Sequence, residues 1–351
     1  MLTSADLIAD PIGHYPRATV ACFDPTRGEL PRRQLDAGRT IAFLERLAAL
    51  GVEGVLIASS TGQGHLRTVE ELEAWLRCAA RARLGNTVPM ALLRPEDGVT
   101  ANARLLDLMA DAGYPVVFLR PGTNLPPAAD NTRVSEQLTP LVAAATERNL
   151  AVGLYSIPDV SGVPLTPDSA ARLVAGPGGA NIVAVKVTEA DYEASTARFL
   201  AHPELAHLKI VQGWDPHIGR ALREGPGYDR QGRQRAGITS GLMSLAAYQY
   251  LHLLEAGKRG EWDELDLALE AATVLFRAMQ DDPQHFADLQ RGKYIMGLGH
   301  PVTGTVEEGQ VERVFAALEG LPRPADRRRL ARSLDLMGDG PYHARLAALA
   351  T

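Results

Sequence analysis

Residues 181–187 read NIVAVKV, a β-branched apolar run with a lysine one position before its end. Such a continuous run fits a strand buried on both faces. Only four of the 36 basic residues are lysines (Lys186, Lys209, Lys258 and Lys293), so arginine is the default cation and Lys186 asks for a reason. One reason is a strand-end lysine whose stem lies on apolar neighbours while its ammonium reaches water. The other is a desolvated amine serving as a nucleophile.

Similar segments recur on both sides of this one. Candidate strands run over 18–23 (ATVACF), 54–58 (GVLIA), 89–93 (PMALL), 115–119 (PVVFL), 151–155 (AVGLY), 182–187 (IVAVKV), 208–212 (LKIVQ) and 236–239 (AGIT). Helix-like stretches follow them at 34–50, 68–83, 100–112, 131–148, 166–175, 191–201, 215–224 and 244–257. Several carry capping signals, such as Thr68 followed by Glu71, and Thr166 by a proline at the first helical position. Eight such units within about 240 residues predict a closed (β/α)8 TIM barrel. An open doubly wound sheet would carry a G-x-G-x-x-G turn after its first strand, and none is there.

After Gly260 the pattern is helical without strands, over 261–280, 285–296, 306–318 and 325–336. The expected organisation is therefore a catalytic barrel over 1–260 and a C-terminal helical extension over 261–351. The polar, glycine-bearing segment 225–235 (GPGYDRQGRQR) reads as a surface insertion.

Composition narrows the classes of function. The 351 residues are 46% apolar and 22% charged, the profile of a globular chain with a large core. A net charge of −6 gives no basic footprint for nucleic acid or an anionic membrane. No run approaches the ~20 apolar residues that span a bilayer. Cys22 and Cys78 are too few for a disulfide framework or a thiolate metal cage, and the start, MLTSADLIAD, lacks the basic and apolar regions of a leader. A cytoplasmic protein is expected. The nine histidines form no H-E-x-x-H pattern, so no metal site is expected, and no cofactor.

Barrels of this kind carry their chemistry at the C-terminal ends of the strands. Tyr155 ends AVGLY, Lys186 sits late in IVAVKV, and GVLIA runs into Ser59-Ser60-Thr61-Gly62-Gln63. Low-dielectric walls around Lys186 would favour a neutral amine, which attacks a ketone to form an imine. The iminium is an electron sink, and a phenol within reach can shuttle protons. The hydroxyl-rich turn offers hydroxyls and backbone N–H groups to a carboxylate. Each piece also has a plainer reading: a core aromatic for Tyr155, a helix-capping loop for the turn.

Taken together these segments resemble the dihydrodipicolinate synthase and N-acetylneuraminate lyase family of class I, pyruvate-type aldolases. The matching pieces are GVEGVLIASSTGQ (51–63) for the family's G-(T/S)-T-G-E turn, LYSIPDVSG (154–162) for Y-N-x-P-x-x-(S/T)-G, NIVAVKVTEAD (181–191) for N-I-x-G-x-K, and IVQGWD (210–215) for a later G-D-D-like turn. The resemblance spans about residues 18–300 in preserved order and implies a (β/α)8 barrel assembled as a tetramer of tight dimers. It implies that Lys186 is the Schiff-base lysine, Tyr155 the proton-shuttling phenol and Ser60 the relay hydroxyl. Thr61 would hold the carboxylate of a 2-keto acid, and Gly213 and Thr239 would line the pocket.

This chain also departs from the pattern. Val160 stands where the dihydrodipicolinate synthases have an arginine for their second substrate's carboxylate, and Thr123 where a tyrosine crosses the dimer interface. Gln63 replaces a glutamate and Ser156 an asparagine, and Trp214 adds aromatic surface. The expected activity is a Schiff-base lyase joining or cleaving pyruvate, or a related 2-keto acid, and an aldehyde. Arg94 and Arg120 end neighbouring strands as other possible carboxylate ligands. A hydro-lyase acting on a 3-deoxy-2-keto sugar acid would use the same iminium, and a non-catalytic binding barrel is the contrasting class.

Overall fold

The computed structural model describes residues 2–28, 33–224, 234–280 and 289–351. Eight strands close into a parallel barrel: β1 (Ala18–Ala21), β2 (Gly54–Ile57), β3 (Val88–Leu93), β4 (Val116–Leu119), β5 (Ala151–Ser156), β6 (Ile182–Val187), β7 (Lys209–Gln212) and β8 (Ala236–Ser240). Each pairs with its sequence neighbours, and β1 closes the ring against β8, with Thr19 opposite Thr239. The predicted strands thus all form, most with ends shifted by one or two residues. The expected (β/α)8 barrel with a helical extension is what the chain builds.

Alternation along the strands makes two cores. Outward side chains such as Val55, Ile57 and Val185 pack under the surrounding helices. Between the strands run α3 (Ala37–Ala49), α4 (Val69–Ala79), α5 (Val99–Asp111), α6 (Asn131–Glu147), α7 (Pro158–Ser161), α8 (Pro167–Ala175), α9 (Thr196–Ala201) and α10 (Ile218–Glu224). Helix α4 begins with the predicted capping box, in which Thr68 and Glu71 accept from each other's backbone N–H. Its Leu72, Trp75 and Leu76 are buried, each contributing on the order of 2 kcal/mol. Inward side chains, among them Leu56, Met90, Phe118, Tyr155 and Val211, fill the barrel. At Gly153 a β-carbon would come within 2.5 Å of the Phe118 ring, so the filling itself requires glycine there.

Two short N-terminal helices, α1 (Ser4–Ala9) and α2 (Pro11–His14), bring Leu7 and Tyr15 into this interior cluster. They contact β5 and β6, and Ser4 Oγ donates to the Pro115 carbonyl just ahead of β4, so they close the N-terminal end of the barrel. Neither helix is among the elements expected from the sequence.

The extension contains α12 (Trp262–Met279), α13 (Gln290–Ile295), α14 (Glu308–Glu319), α15 (Pro324–Leu334) and α16 (His343–Leu349), the last of which was not anticipated. It packs on α11 (Met243–Lys258), where Gln249 donates to Asp326 at 2.8 Å. The helix predicted over 285–296 is seen from Gln290, residues 285–288 lying outside the described ones. Of the expected insertion at 225–235, residues 225–233 likewise lie outside. Arg235, assigned there to the surface, is instead buried and donates to the carbonyls of Leu200, Leu205 and Leu208.

Candidate active site

The C-terminal ends of β5 and β6 place Lys186 directly beside Tyr155 in the ladder. Both are buried, Lys186 at 3% exposure, and the Lys186 ammonium lies 4.1 Å from the centre of the Tyr155 ring. A cation over a phenol face is attracted by the ring quadrupole, so the two side chains hold one another in place. A β-carbon at Gly213 would come 2.9 Å from Cε of Lys186 and would run into the Thr188 hydroxyl. Glycine at the end of β7 is thus what leaves room for the lysine stem.

At the end of β2 the chain makes a 3₁₀ turn over Ser60–Gly62, bracketed by two non-glycine residues with left-handed backbones, Ala58 (φ 60°) and Gln63 (φ 52°). Such conformations cost about 1 kcal/mol or more apiece and persist where their surroundings over-determine them. Ser60 and Thr61 are buried, and Gly241, just past β8, abuts the Thr61 side chain. Thr239 sits deeper, against the phenol of Tyr15, whose own hydroxyl lies 3.4 Å from the Met90 sulfur. Burial pushes that phenol well above its usual range. Thr123 is exposed in the loop after β4, and no contact among the described residues joins it to Lys186, Tyr155 or Ser60. Lys186, Tyr155 and Gly213 are brought into one constellation, Ser60 and Thr61 into a turn on the same rim.

Several charged groups around the rim escaped the sequence reading. Asp215, two residues past Gly213, is buried and accepts from Ser240 Oγ and from the Tyr250 hydroxyl at 2.5 Å. Burial raises its pKa, opposed by those two hydrogen bonds and by the Lys186 charge. Glu189 accepts from Ser156 Oγ at 2.6 Å, and burial, followed by Asp159 and Asp191, raises it too. A signal for Asp215 was available: it stands in the IVQGWD turn at a strand end.

The two candidate arginines are engaged elsewhere. Arg94 pairs with Asp97 at 2.7 Å and donates to the Gly64 and Arg67 carbonyls, while Arg120 pairs with Glu96 and donates to the Pro121 carbonyl. Val160, half-buried, packs an apolar side chain against the barrel-interior cluster. Among the described residues no group of three or more His, Cys, Asp or Glu could hold a metal ion, and no helix is long and apolar enough to cross a membrane.

No family model matches the chain. It is 28% identical over 235 residues to the 4-hydroxy-tetrahydrodipicolinate synthase of Xylella fastidiosa, covering 66% of this chain and 70% of that one. A synthase of the same name from Xanthomonas axonopodis is 26% identical over 231 residues, covering 65% and 68%. In three dimensions it is similar to an Escherichia coli K12 prophage protein of the dihydrodipicolinic acid synthase family, solved in complex with pyruvate. The TM-score is 0.73 at 17% identity, over 88% of this chain and 98% of that one. It is also similar to a Ruminococcus gnavus sialic acid aldolase, a catalytic lysine mutant, at a TM-score of 0.70 and 17% identity over 88% and 98%. At such identities the structural likenesses speak for the fold, and the sequence relatives carry the resemblance. In sequence the chain is similar to the dihydrodipicolinate synthases, it shares the fold of the wider dihydrodipicolinate synthase and sialic acid aldolase group, and it is an enzyme of the lyase type.

Proposed function

We propose that the protein is a Schiff-base lyase in which Lys186 condenses with pyruvate or a related 2-keto acid, making or breaking a carbon–carbon bond to an aldehyde. The observation that carries this reading is the buried Lys186 amine held 4.1 Å over the Tyr155 ring at the C-terminal end of a barrel. In the synthetic direction the Lys186 nitrogen attacks the keto carbon, and the carbinolamine loses water to an iminium. Loss of a C3 proton gives an enamine, whose carbon attacks the aldehyde; hydrolysis then frees the lysine. The sink is made from lysine and substrate, so no cofactor is called for.

Tyr155 moves the protons of carbinolamine breakdown and of the new hydroxyl, with Ser60 as its relay. Thr61 and the turn's N–H groups hold the carboxylate, as the first N–H groups of a helical turn lack acceptors within it. Gly213 and Thr239 shape the pocket, and Thr123 faces the second fragment from the rim. The apolar Val160 and the engaged Arg94 and Arg120 support an aldehyde without a second carboxylate. Two free buried thiols, Cys22 and Cys78, support a reducing cytoplasm, and the family resemblance supports a homo-oligomer.

The test is incubation with pyruvate and borohydride, followed by intact mass and peptide mapping. A reduced pyruvyl adduct on Lys186 is expected; no adduct with any of several 2-keto acids overturns the reading, and with it the choice of enzyme over binding barrel. A screen of aldehydes, run beside a dehydration assay on 3-deoxy-2-keto sugar acids, then separates aldolase from hydro-lyase.

A further inference from the structure

The Ser60–Gly62 turn is gripped from outside the barrel. Helix α13 reaches it directly: Gln290, fully buried, donates from Nε2 to the Thr61 carbonyl at 2.7 Å. Farther along, the backbone N–H of Val302 donates to Oε1 of Gln63 at 2.7 Å. Beneath the turn, a β-carbon on Gly62 would come 2.6 Å from the Cys22 carbonyl and 3.2 Å from the Asp24 nitrogen, so the turn lies on the end of β1. There Asp24 accepts from Arg67 at 2.5 Å and from Lys293, also of α13, at 2.8 Å, in a cluster with no exposed side chain.

We propose that α13 is a positioning element for substrate binding, with Gln290 fixing the Thr61–Gly62 peptide and Lys293 fixing its seat at Asp24. This rests on reading the turn as the keto-acid carboxylate's cradle. The turn's left-handed flanks at Ala58 and Gln63 hold only while their surroundings over-determine them, and α13 supplies part of that constraint. There is also an electronic consequence. The carbonyl that Gln290 engages belongs to the same peptide group as the Gly62 N–H, and a donor on the carbonyl polarises that N–H into a better donor to an anion. Gln290 is therefore a positioning residue that acts through Thr61 and touches no substrate.

The test uses the full-length protein and borohydride trapping with pyruvate. Gln290→Met keeps the side chain's length and removes the donor. Loss of one such hydrogen bond is worth about 1 kcal/mol, so the pyruvate concentration for half-maximal trapping should rise about five- to tenfold. The extent of trapping at saturation should stay unchanged, and Gln290→Glu, measured at acidic pH where its carboxylic acid can donate, should recover part of the affinity. A half-saturation equal to wild type overturns the inference while leaving the Schiff-base reading intact. Absence of a wild-type adduct overturns both. Should Gln290→Met fail to fold, hydrogen exchange on wild-type protein decides: pyruvate must slow exchange over 289–296, and unchanged exchange there overturns the proposal.

Discussion

The two sides of the barrel mouth are built on opposite principles. Around β5 and β6, Tyr155 stands among apolar neighbours and the Lys186 nitrogen lies over its ring, while the buried Asp215 acts on the lysine charge through space. Around β1 and β2, the Ser60–Gly62 turn is tied by hydrogen bonds and by the buried Asp24, Arg67 and Lys293 charges. A nucleophile gains from a dry, weakly polar wall, because solvation would stabilise its unreactive charged form. An anion cradle gains from donors aimed in advance, since reorienting them at each binding event would cost free energy. The two lysines make the contrast concrete: Lys186 faces a ring, and Lys293 is locked to a carboxylate.

That contrast can be broken most severely at the amine itself. Lys186→Met should abolish borohydride trapping and lower turnover by about 10³-fold or more, while a thermal melt stays near wild type because methionine suits the apolar wall. Tyr155→Phe keeps the aromatic face and removes the hydroxyl proposed as proton carrier. Turnover should fall by about 10²-fold while trapping remains possible, and equal turnover would assign the hydroxyl no role. Gly213→Ala crowds the lysine stem without touching the turn. Overpacking of this kind costs about 1–3 kcal/mol, so the trapping rate should drop about ten- to a hundredfold with little change in the half-saturating pyruvate concentration.

The smallest effect tests the charged side. Burial lowers Lys293 to about 8, with Asp24 opposing the shift. From about pH 8 to the ordinary lysine range near 10.5, the folded protein has shed a proton that the unfolded chain retains, so unfolding takes up a proton and rising pH favours the fold. Denaturant unfolding of wild type and Lys293→Met, compared at several pH values, should show the wild type gaining relative stability through that window and no relative change below it. A flat difference would mean that the burial of Lys293 is already balanced by Asp24.

Much of the barrel was legible because most strands are short continuous apolar runs, and several of the helices between them carry their own caps, as at Thr68 and Thr166. The IVAVKV segment matched β6 to the residue, since both its faces are covered. Lys186, Tyr155 and the turn stood out because each ends a strand. The grip on the turn was not legible, because its contacts join residues far apart in sequence: 229 positions separate Gln290 from Thr61, and 269 separate Lys293 from Asp24. No local periodicity encodes such pairs. The N-terminal helices were missed for a different reason, as Thr3 with Asp6, and Asp10 before Pro11, are cap signals that the sequence did contain. Arg235 misled because a charged residue after a polar glycine-bearing stretch looks solvated, while its guanidinium here satisfies three carbonyls in the interior.

The link between Asp24 and Lys293 also bears on the order of events during synthesis. Strand β1 and its aspartate leave the ribosome first, but the lysine that completes their charge cluster and the glutamine that steadies the turn follow more than 260 residues later. The last strand ends at Ser240, 50 residues before Gln290, so at roughly 5–20 residues per second a nascent barrel holds Lys186 without a finished turn for about ten seconds or less. Competence to bind an acid substrate tightly would then arrive with α13, making the late chain a built-in check that synthesis has gone far enough.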